Sequence, residues 1–305
     1  MTTIPLWRAQ RERGSRLLMQ VIVALTLWVG RPIGRALLYP ICAYFLLFSR
    51  AARAASRAYL GRVLGRPPTW RERFRHYHCF ARQLLDRIHL LTGDLARFGC
   101  VVEGQDVLER ALERKCGVLA VGAHLGSFEM MRVVALARSP IRVRVLMYAA
   151  HAEKLAAVLG PLNADVQQQV IALGRPETML EVREALAAGE VVGLLADRVV
   201  AGDRVRPSTF LGANALFAEG PFVLAAALGA PIVLFSAVQG DDERYRIRFE
   251  PFAERIEFTR RTRDVVLQQA CDRYAAWLDA RCREAPFNWF NFYDFWTADA
   301  AAGRR

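Results

Sequence analysis

No stretch of this 305-residue sequence stays apolar over the roughly 20 consecutive residues that a membrane-spanning helix needs. No internal repeat or low-complexity tract is visible, and there is no Gly-x-Ser-x-Gly elbow of the kind that displays a hydrolase's serine. The six cysteines, at 42, 79, 100, 116, 271 and 282, form no Cys-x-x-Cys pair and have no metal-ligand spacing with the five histidines. They read as reduced thiols facing the cytoplasm. No metal and no redox cofactor is expected. His76-Tyr-His78-Cys79 lacks a second ligand pair, so the sequence predicts a solvated helix face there. The arginines are scattered without Ser/Gly-rich or aromatic interleaving, which argues against nucleic-acid binding.

What the sequence has is bulk and positive charge. Apolar residues fill 53% of its positions, enough for the core of one large domain or two small ones. Lys and Arg number 42 against 30 acidic residues, a formal charge of +12 that attracts phospholipid headgroups, nucleic acids or acidic carrier proteins. The N-terminus chooses among these. Two apolar runs, Leu17 to Gly30 and Ala36 to Ser49, are split by Arg31-Pro-Ile-Gly-Arg35 and bordered by arginines at 8, 11, 13, 16, 50, 53 and 57. Basic side chains on every side of apolar runs suit a segment lying against headgroup phosphates. The region is too long and too interrupted for a secretory signal peptide, although Ala52-Arg-Ala54 faintly resembles a cleavage site. A pair of buried core helices is the other reading, since periodicity does not separate short apolar runs from core. The symmetric arginines remove the bias that sets orientation, so a shallow hairpin and a kinked single anchor both stay open.

From Arg50 to about Arg97 the pattern is helical and amphipathic, with Phe80, Leu84, Leu85, Ile88 and Leu91 recurring at spacings of three and four. Beyond Phe98, short β-type runs alternate with helix-type runs, the pattern of an α/β domain with helices packed on a sheet. Strands are expected at Val101 to Glu103, Gly117 to Val121, Val143 to Tyr148, Gln169 to Ala172, Val191 to Ala196, Ile232 to Ala237 and Tyr245 to Phe249. Helices are expected at about 105–114, 127–137, 151–160, 176–188 and 216–228, with a long one from Arg260 to Arg283. Val199 to Ala215 reads as a linker, with turn formers at Gly202-Asp203, Pro207-Ser208 and Gly212. The chain thus divides into an anchoring segment, 1–50, a helical linker, 51–97, and an α/β domain, 98–305.

Gly117-Val-Leu-Ala-Val-Gly122 reads as a buried strand, so His124 stands at a strand end, and Gly126 permits a sharp turn into the helix holding Glu129. Imidazole is suited to removing a proton from an attacking nucleophile near neutral pH. A carboxylate can accept a hydrogen bond from the second ring nitrogen and stabilise the imidazolium that forms. Positions five apart lie well away from one another around a helix, so His124 and Glu129 meet only if His124 precedes the regular helix. The plainer reading is a core histidine beside a first-turn carboxylate favoured by the helix dipole. Arg198 suits two-point binding of a phosphate or, equally, an ion pair with Asp197 or Asp203. The aromatic run from Trp289 to Trp296 suits a core cover or a belt at headgroup level.

The run His124-Leu-Gly-Ser-Phe-Glu129 resembles the His-x4-Asp/Glu motif of glycerolipid acyltransferases, in a setting similar to the lipid A biosynthesis acyltransferase family of the lysophospholipid acyltransferase superfamily. Gly193-Leu-Leu-Ala-Asp197-Arg198, Phe217-Ala-Glu219-Gly220-Pro221 and Gly229-Ala-Pro231-Ile-Val resemble further blocks of that family in order and spacing, as does Tyr39-Pro40 with Tyr44 to Leu47. The ending Ala285-Pro-Phe-Asn-Trp289 looks like its Pro-x-x-Trp block, while Asn288 to Asp294 lacks basic residues and resembles a branch found with aryl polyene and xanthomonadin-type pigment clusters.

The resemblance implies a mixed central sheet flanked by helices, with anchoring helices before it, on the cytoplasmic face of the inner membrane. It implies an acyltransferase without cofactor, taking an acyl chain from acyl carrier protein rather than coenzyme A to a hydroxyl or amine of a lipid acceptor. His124 and Glu129 would be the catalytic pair, Asp197, Arg198, Glu219 and Gly220 would bind substrate, and Arg198 or backbone donors would stabilise the oxyanion. Gly220-Pro221 is also an ordinary helix start. The alternative class is a catalytically silent membrane protein that holds lipid or recruits acyl carrier protein.

Overall fold

The computed structural model describes residues 16–91, 98–114, 116–132, 142–148, 170–200 and 202–296, with the backbone alone for 16–30 and 91. Helix α1 (Arg16–Phe48) runs unbroken through Pro32 and Pro40, so the two apolar runs share one helix. Arg31 and Arg35, expected at headgroup phosphates, instead turn inward. Arg31 Nε donates to Asp86 Oδ1 at 3.0 Å, and Arg35 stands 3.7 Å from Asp86 and pairs with Glu243. Asp86 is fully buried and also accepts from Tyr245 Oη at 3.0 Å and Gln239 Nε2 at 3.3 Å. A buried carboxylate needs such partners, and here they fasten α1 to the body of the protein.

Helix α2 (Arg50–Leu64) follows after one residue, and its axis is bent by 95° from that of residues 31–48. Among the described residues no single helix is long and apolar enough to cross a membrane, although this bent pair meets the length and composition together. Pro67-Pro68 stops α2, and Thr69 opens α3 (Trp70–Leu91) with a reciprocal cap. Glu72 N donates to Thr69 Oγ1 at 3.3 Å while Thr69 N donates to Glu72 Oε2 at 2.7 Å.

The remaining elements are β1 (Cys100–Glu103), α4 (Gln105–Glu113), β2 (Val118–Gly122), β3 (Val143–Tyr148), β4 (Val170–Leu173), α5 (Thr178–Ala187), β5 (Val191–Leu195), β6 (Val205–Phe210), β7 (Ala213–Ala218), α6 (Gly220–Leu228), β8 (Ile232–Gln239), β9 (Tyr245–Ala253) and α7 (Arg263–Glu284). Seven strands form a mixed sheet in the order β1-β9-β8-β2-β5-β3-β4. Every pairing is parallel except β8 with β9. The central strands read as continuous apolar runs because both faces of the sheet are covered. Leu119 and Val121 pack with Tyr59 and Leu60 of α2 and Tyr274 of α7, whereas Val118 and Ala120 pack with Leu108 of α4 and Met130.

The stretch expected as a linker, 199–215, holds most of a second, two-stranded sheet, β6 with β7. Leu211 and Gly212 join its strands at φ of +48° and +76°, the backbone of a two-residue type I′ hairpin turn. Pro207 is tolerated because a two-stranded ribbon is all edge. The helix expected from 216 therefore starts later, at Gly220, with Pro221 in its first turn. The helix expected at 151–160, residues 133–137 of the one expected at 127–137, and Gln169 lie outside the described residues.

Candidate active site

β2 and β5 are parallel neighbours with Gly122 opposite Leu195. Two residues beyond each of these strand ends come His124 and Asp197, so register alone brings them to one level at the carboxyl edge of the sheet. His124 Nδ1 donates to Asp197 Oδ1 at 2.8 Å, the His124 backbone N–H donates to Asp197 Oδ2 at 3.0 Å, and the Trp289 indole N–H donates to the same oxygen at 2.9 Å. Asp197 is thus a buried carboxylate with three donors, and His124 keeps 29% of its side chain exposed. Burial alone would raise the Asp197 pKa, but the His124 imidazole, Arg198 and the indole hold it at about 2. Burial and the neighbouring Arg198 lower the His124 pKa below its ordinary 6.5, against the pull of Asp197. The ring is therefore neutral at pH 7 with Nδ1 protonated, which leaves the Nε2 lone pair as an acceptor.

The chain after His124 is held on both sides. Gly126 adopts φ of +81°, and a Cβ there would meet the Ala237 carbonyl oxygen at 2.0 Å. No other residue type fits that turn. Gly126 N donates to Asn288 O at 2.8 Å, Ser127 N to Ala237 O at 2.8 Å, and Phe290 N to His124 O at 2.8 Å, so the C-terminal strap 288–290 lies across the motif. Ser127 Oγ then accepts from Met130 N at 3.2 Å and caps the helical turn at 128–132.

Glu129, expected to hold the His124 ring, does not occupy Nδ1. It sits in the first turn of that helix, facing α3, where Arg87 Nη2 donates to Oε1 at 2.8 Å and Arg132 Nε to Oε2 at 3.0 Å. Burial would raise its pKa, but the two guanidiniums keep it below the ordinary carboxylate value. The nitrogen that Glu129 was expected to hold is taken by Asp197, 73 residues away in sequence, because adjacent parallel strands align the two more closely than a five-residue spacing does.

A family model for bacterial lipid A biosynthesis acyltransferases matches residues 18–297. The chain belongs to this family. It is an acyltransferase acting on lipids, and so takes an acyl donor and a lipid acceptor. A search of curated proteins finds no match.

Within this acyltransferase, the other expected site residues have separate surroundings. Asp197, expected on substrate, is only 2% exposed and is spent on His124. Arg198 stands next to it, with Nη2 3.4 Å from the Phe290 carbonyl oxygen and its guanidinium 5.9 Å from the Tyr293 ring centre. Glu219 is 4% exposed, and both its oxygens are engaged, by Arg206 Nε and Arg263 Nη2 at 2.9 Å each. Those bonds tie the β6–β7 hairpin to α7. Gly220 opens α6.

Sequence reasoning missed the supports of the Asp197 carboxylate. His76, expected on a solvated face, is fully buried: Ser56 Oγ–H donates to its Nδ1 at 2.9 Å, and its Nε2–H donates to the Trp289 carbonyl at 2.8 Å. Asn288 bridges Gln83 of α3 and the Gln239 backbone. α2 and α3 thereby position the strap whose indole touches Asp197. The signal in the sequence was the four-residue spacing of His76 from Phe80, which puts the two on one face of α3.

Burial lowers the His76 pKa to about 4, with the Trp289 carbonyl acting the other way. Because the folded value lies below the ordinary 6.5, the unfolded chain binds the extra proton, and the contribution present above pH 6.5 is lost as pH falls toward 4. A fall from 6.5 to about 4 makes the loss about 3 kcal/mol. Urea denaturation at pH 7 and pH 4 should show this drop in the wild type and a flatter response in His76→Asn. Equal drops in both proteins would contradict it.

Proposed function

We propose that His124 is the general base of acyl transfer from a thioester donor to a hydroxyl or amine of a lipid acceptor, with Asp197 orienting it. The observation that supports this reading is the His124 ring held at Nδ1 by the buried Asp197 carboxylate with 29% of its side chain still exposed. His124 Nε2 takes the acceptor's proton as its oxygen or nitrogen bonds to the thioester carbon. The tetrahedral intermediate then collapses, the carbon–sulfur bond breaks, and the imidazolium returns the proton to the departing thiolate. Asp197 stays ionised throughout and stabilises the imidazolium. Arg198 supplies positive charge beside the developing oxyanion. Glu129 fastens the helical turn after Gly126 to α3, which fixes where His124 emerges.

The donor in this reading is acyl carrier protein rather than coenzyme A, in keeping with the resemblance of the sequence and its formal charge of +12. The place is the cytoplasmic face of the inner membrane. Ile33, Leu37, Ile41, Tyr44 and Phe48 form one outward stripe on α1, each at least 36% exposed. A helix buried on one side and apolar on the other suits insertion along a bilayer surface. A lipid A intermediate, an aryl polyene lipid and a glycerolipid are the acceptors this reading allows, and the strap from Asn288 to Asp294, whose sequence lacks basic residues, resembles the aryl polyene branch.

Mass spectrometry of lipids from cells producing the wild type, His124→Ala or no protein tests the proposal. The reading requires an acylated lipid present only with the wild type, and its persistence with His124→Ala would refute the base assignment. The pH dependence is a second check: kcat/KM should fall as pH drops through a value below 6.5, because protonated His124 accepts no proton. An acid limb at or above 6.5 would contradict the lowered pKa.

A further inference from the structure

A groove of about 820 Å³ runs along α2 to the start of α3, and its lining includes Arg50, Arg53, Arg57, Arg62, Arg66 and Arg73 but, among the described residues, no carboxylate. The spacing of three and four puts Arg50, Arg53 and Arg57 on one side of α2, while Ala55, Ser56, Tyr59, Leu60 and Val63 are buried on the other. Small residues, Ala54, Ala58 and Gly61, separate the guanidiniums and keep the floor open. The chain contains only two lysines, Lys115 and Lys154, so its basic surface is almost wholly guanidinium, the group that binds phosphate in two-point fashion.

Some of these arginines are already engaged. Arg66 is held by Glu72 at 2.6 and 3.0 Å, Arg53 caps the Leu46 and Leu47 carbonyls, and Arg62 lies 4.6 Å from the Trp296 ring centre. Arg50 and Arg57 are exposed and bond to nothing among the described residues. Arg73 Nε and Tyr77 Oη are sealed from solvent without a partner among the described residues. Cations gathered in this way repel one another until an anion sits among them.

We propose that this groove seats the phosphate of an anionic membrane phospholipid. The inference rests on the reading that α1 lies on a bilayer. What selects lipid over an acidic protein is the border of the groove. Leu47 and Phe48, 65% and 60% exposed, precede Arg50 at the bend, and Trp70, 59% exposed, follows Pro67 and Pro68 at the other end. Apolar and aromatic side chains on either side of arginines match an interface, with acyl chains below and phosphates level with the guanidiniums. An acidic helix of a carrier protein would satisfy the charge and leave Leu47, Phe48 and Trp70 in water.

The test is co-sedimentation of the purified full chain with vesicles of phosphatidylcholine alone or with phosphatidylglycerol added. The wild type should prefer the anionic vesicles, and salt should weaken that preference. Each basic residue at an anionic surface contributes about five-fold, so Arg50→Gln/Arg57→Gln should lose roughly 25-fold in partition. Arg50→Lys/Arg57→Lys should keep most of it, which separates loss of charge from loss of fold. If the Gln pair keeps the wild-type preference while Leu47→Ser/Phe48→Ser loses binding to both vesicles, the groove assignment fails and the bilayer reading stands. If the wild type binds neither vesicle, both fail. If the Gln pair loses affinity for acyl carrier protein with vesicle binding unchanged, the groove is a carrier site and the proposal is wrong.

Discussion

Asp197→Asn should lower kcat by about 10³- to 10⁴-fold while leaving the protein folded and KM little changed, the range seen when the orienting carboxylate of a histidine base becomes an amide. The side chain keeps its volume, and its oxygen can still accept the Trp289 indole and the His124 backbone N–H. The lost element is the acceptor facing Nδ1. With an amide N–H there, the favoured neutral tautomer puts the proton on Nε2, where the acceptor's proton has to go. Steady-state kinetics with a thermal melt as the control measures both parts. A variant that retains more than a tenth of wild-type kcat would mean that the carboxylate does not set the tautomer.

Glu129→Gln should fail differently. Arg87 and Arg132 converge on Glu129, which is 6% exposed, and removing one charge from a buried pair costs about 3–5 kcal/mol because the partner is left uncompensated. The expected result is a large drop in unfolding free energy in urea, with kcat per folded molecule falling less than in Asp197→Asn. Loss of the helical turn's anchor would also shift His124, so some loss of kcat accompanies it. A variant as stable as wild type but catalytically dead would put Glu129 in the chemistry and Asp197 in support.

The contrast between these two carboxylates marks what the sequence made legible. β2 and β5 were readable because parallel strands covered on both faces are continuous apolar runs. His124 at a strand end and the turn at Gly126 followed from the same run. The register of β2 on β5 was not readable, since it depends on tertiary pairing, and that register carries Asp197 to His124. The hairpin β6–β7 was hidden because Pro207, Ser208 and Gly212 are turn formers by composition, and only two-stranded pairing makes a strand of Pro207. Arg31 and Arg35 were misread for a related reason: their partner Asp86 is 55 and 51 positions away. Charge beside apolar sequence does not tell a headgroup from a buried carboxylate.

Asp197, and not Glu129, holds the His124 ring. The tautomer of His124 tests it most directly, read from ¹⁵N shifts of histidine-labelled protein at pH 7 and assigned with His124→Gln. The expected result is a neutral ring protonated at Nδ1, unchanged in kind by Glu129→Gln and lost in Asp197→Asn. A ring protonated at Nε2, or one that answers to Glu129→Gln and ignores Asp197→Asn, would contradict it.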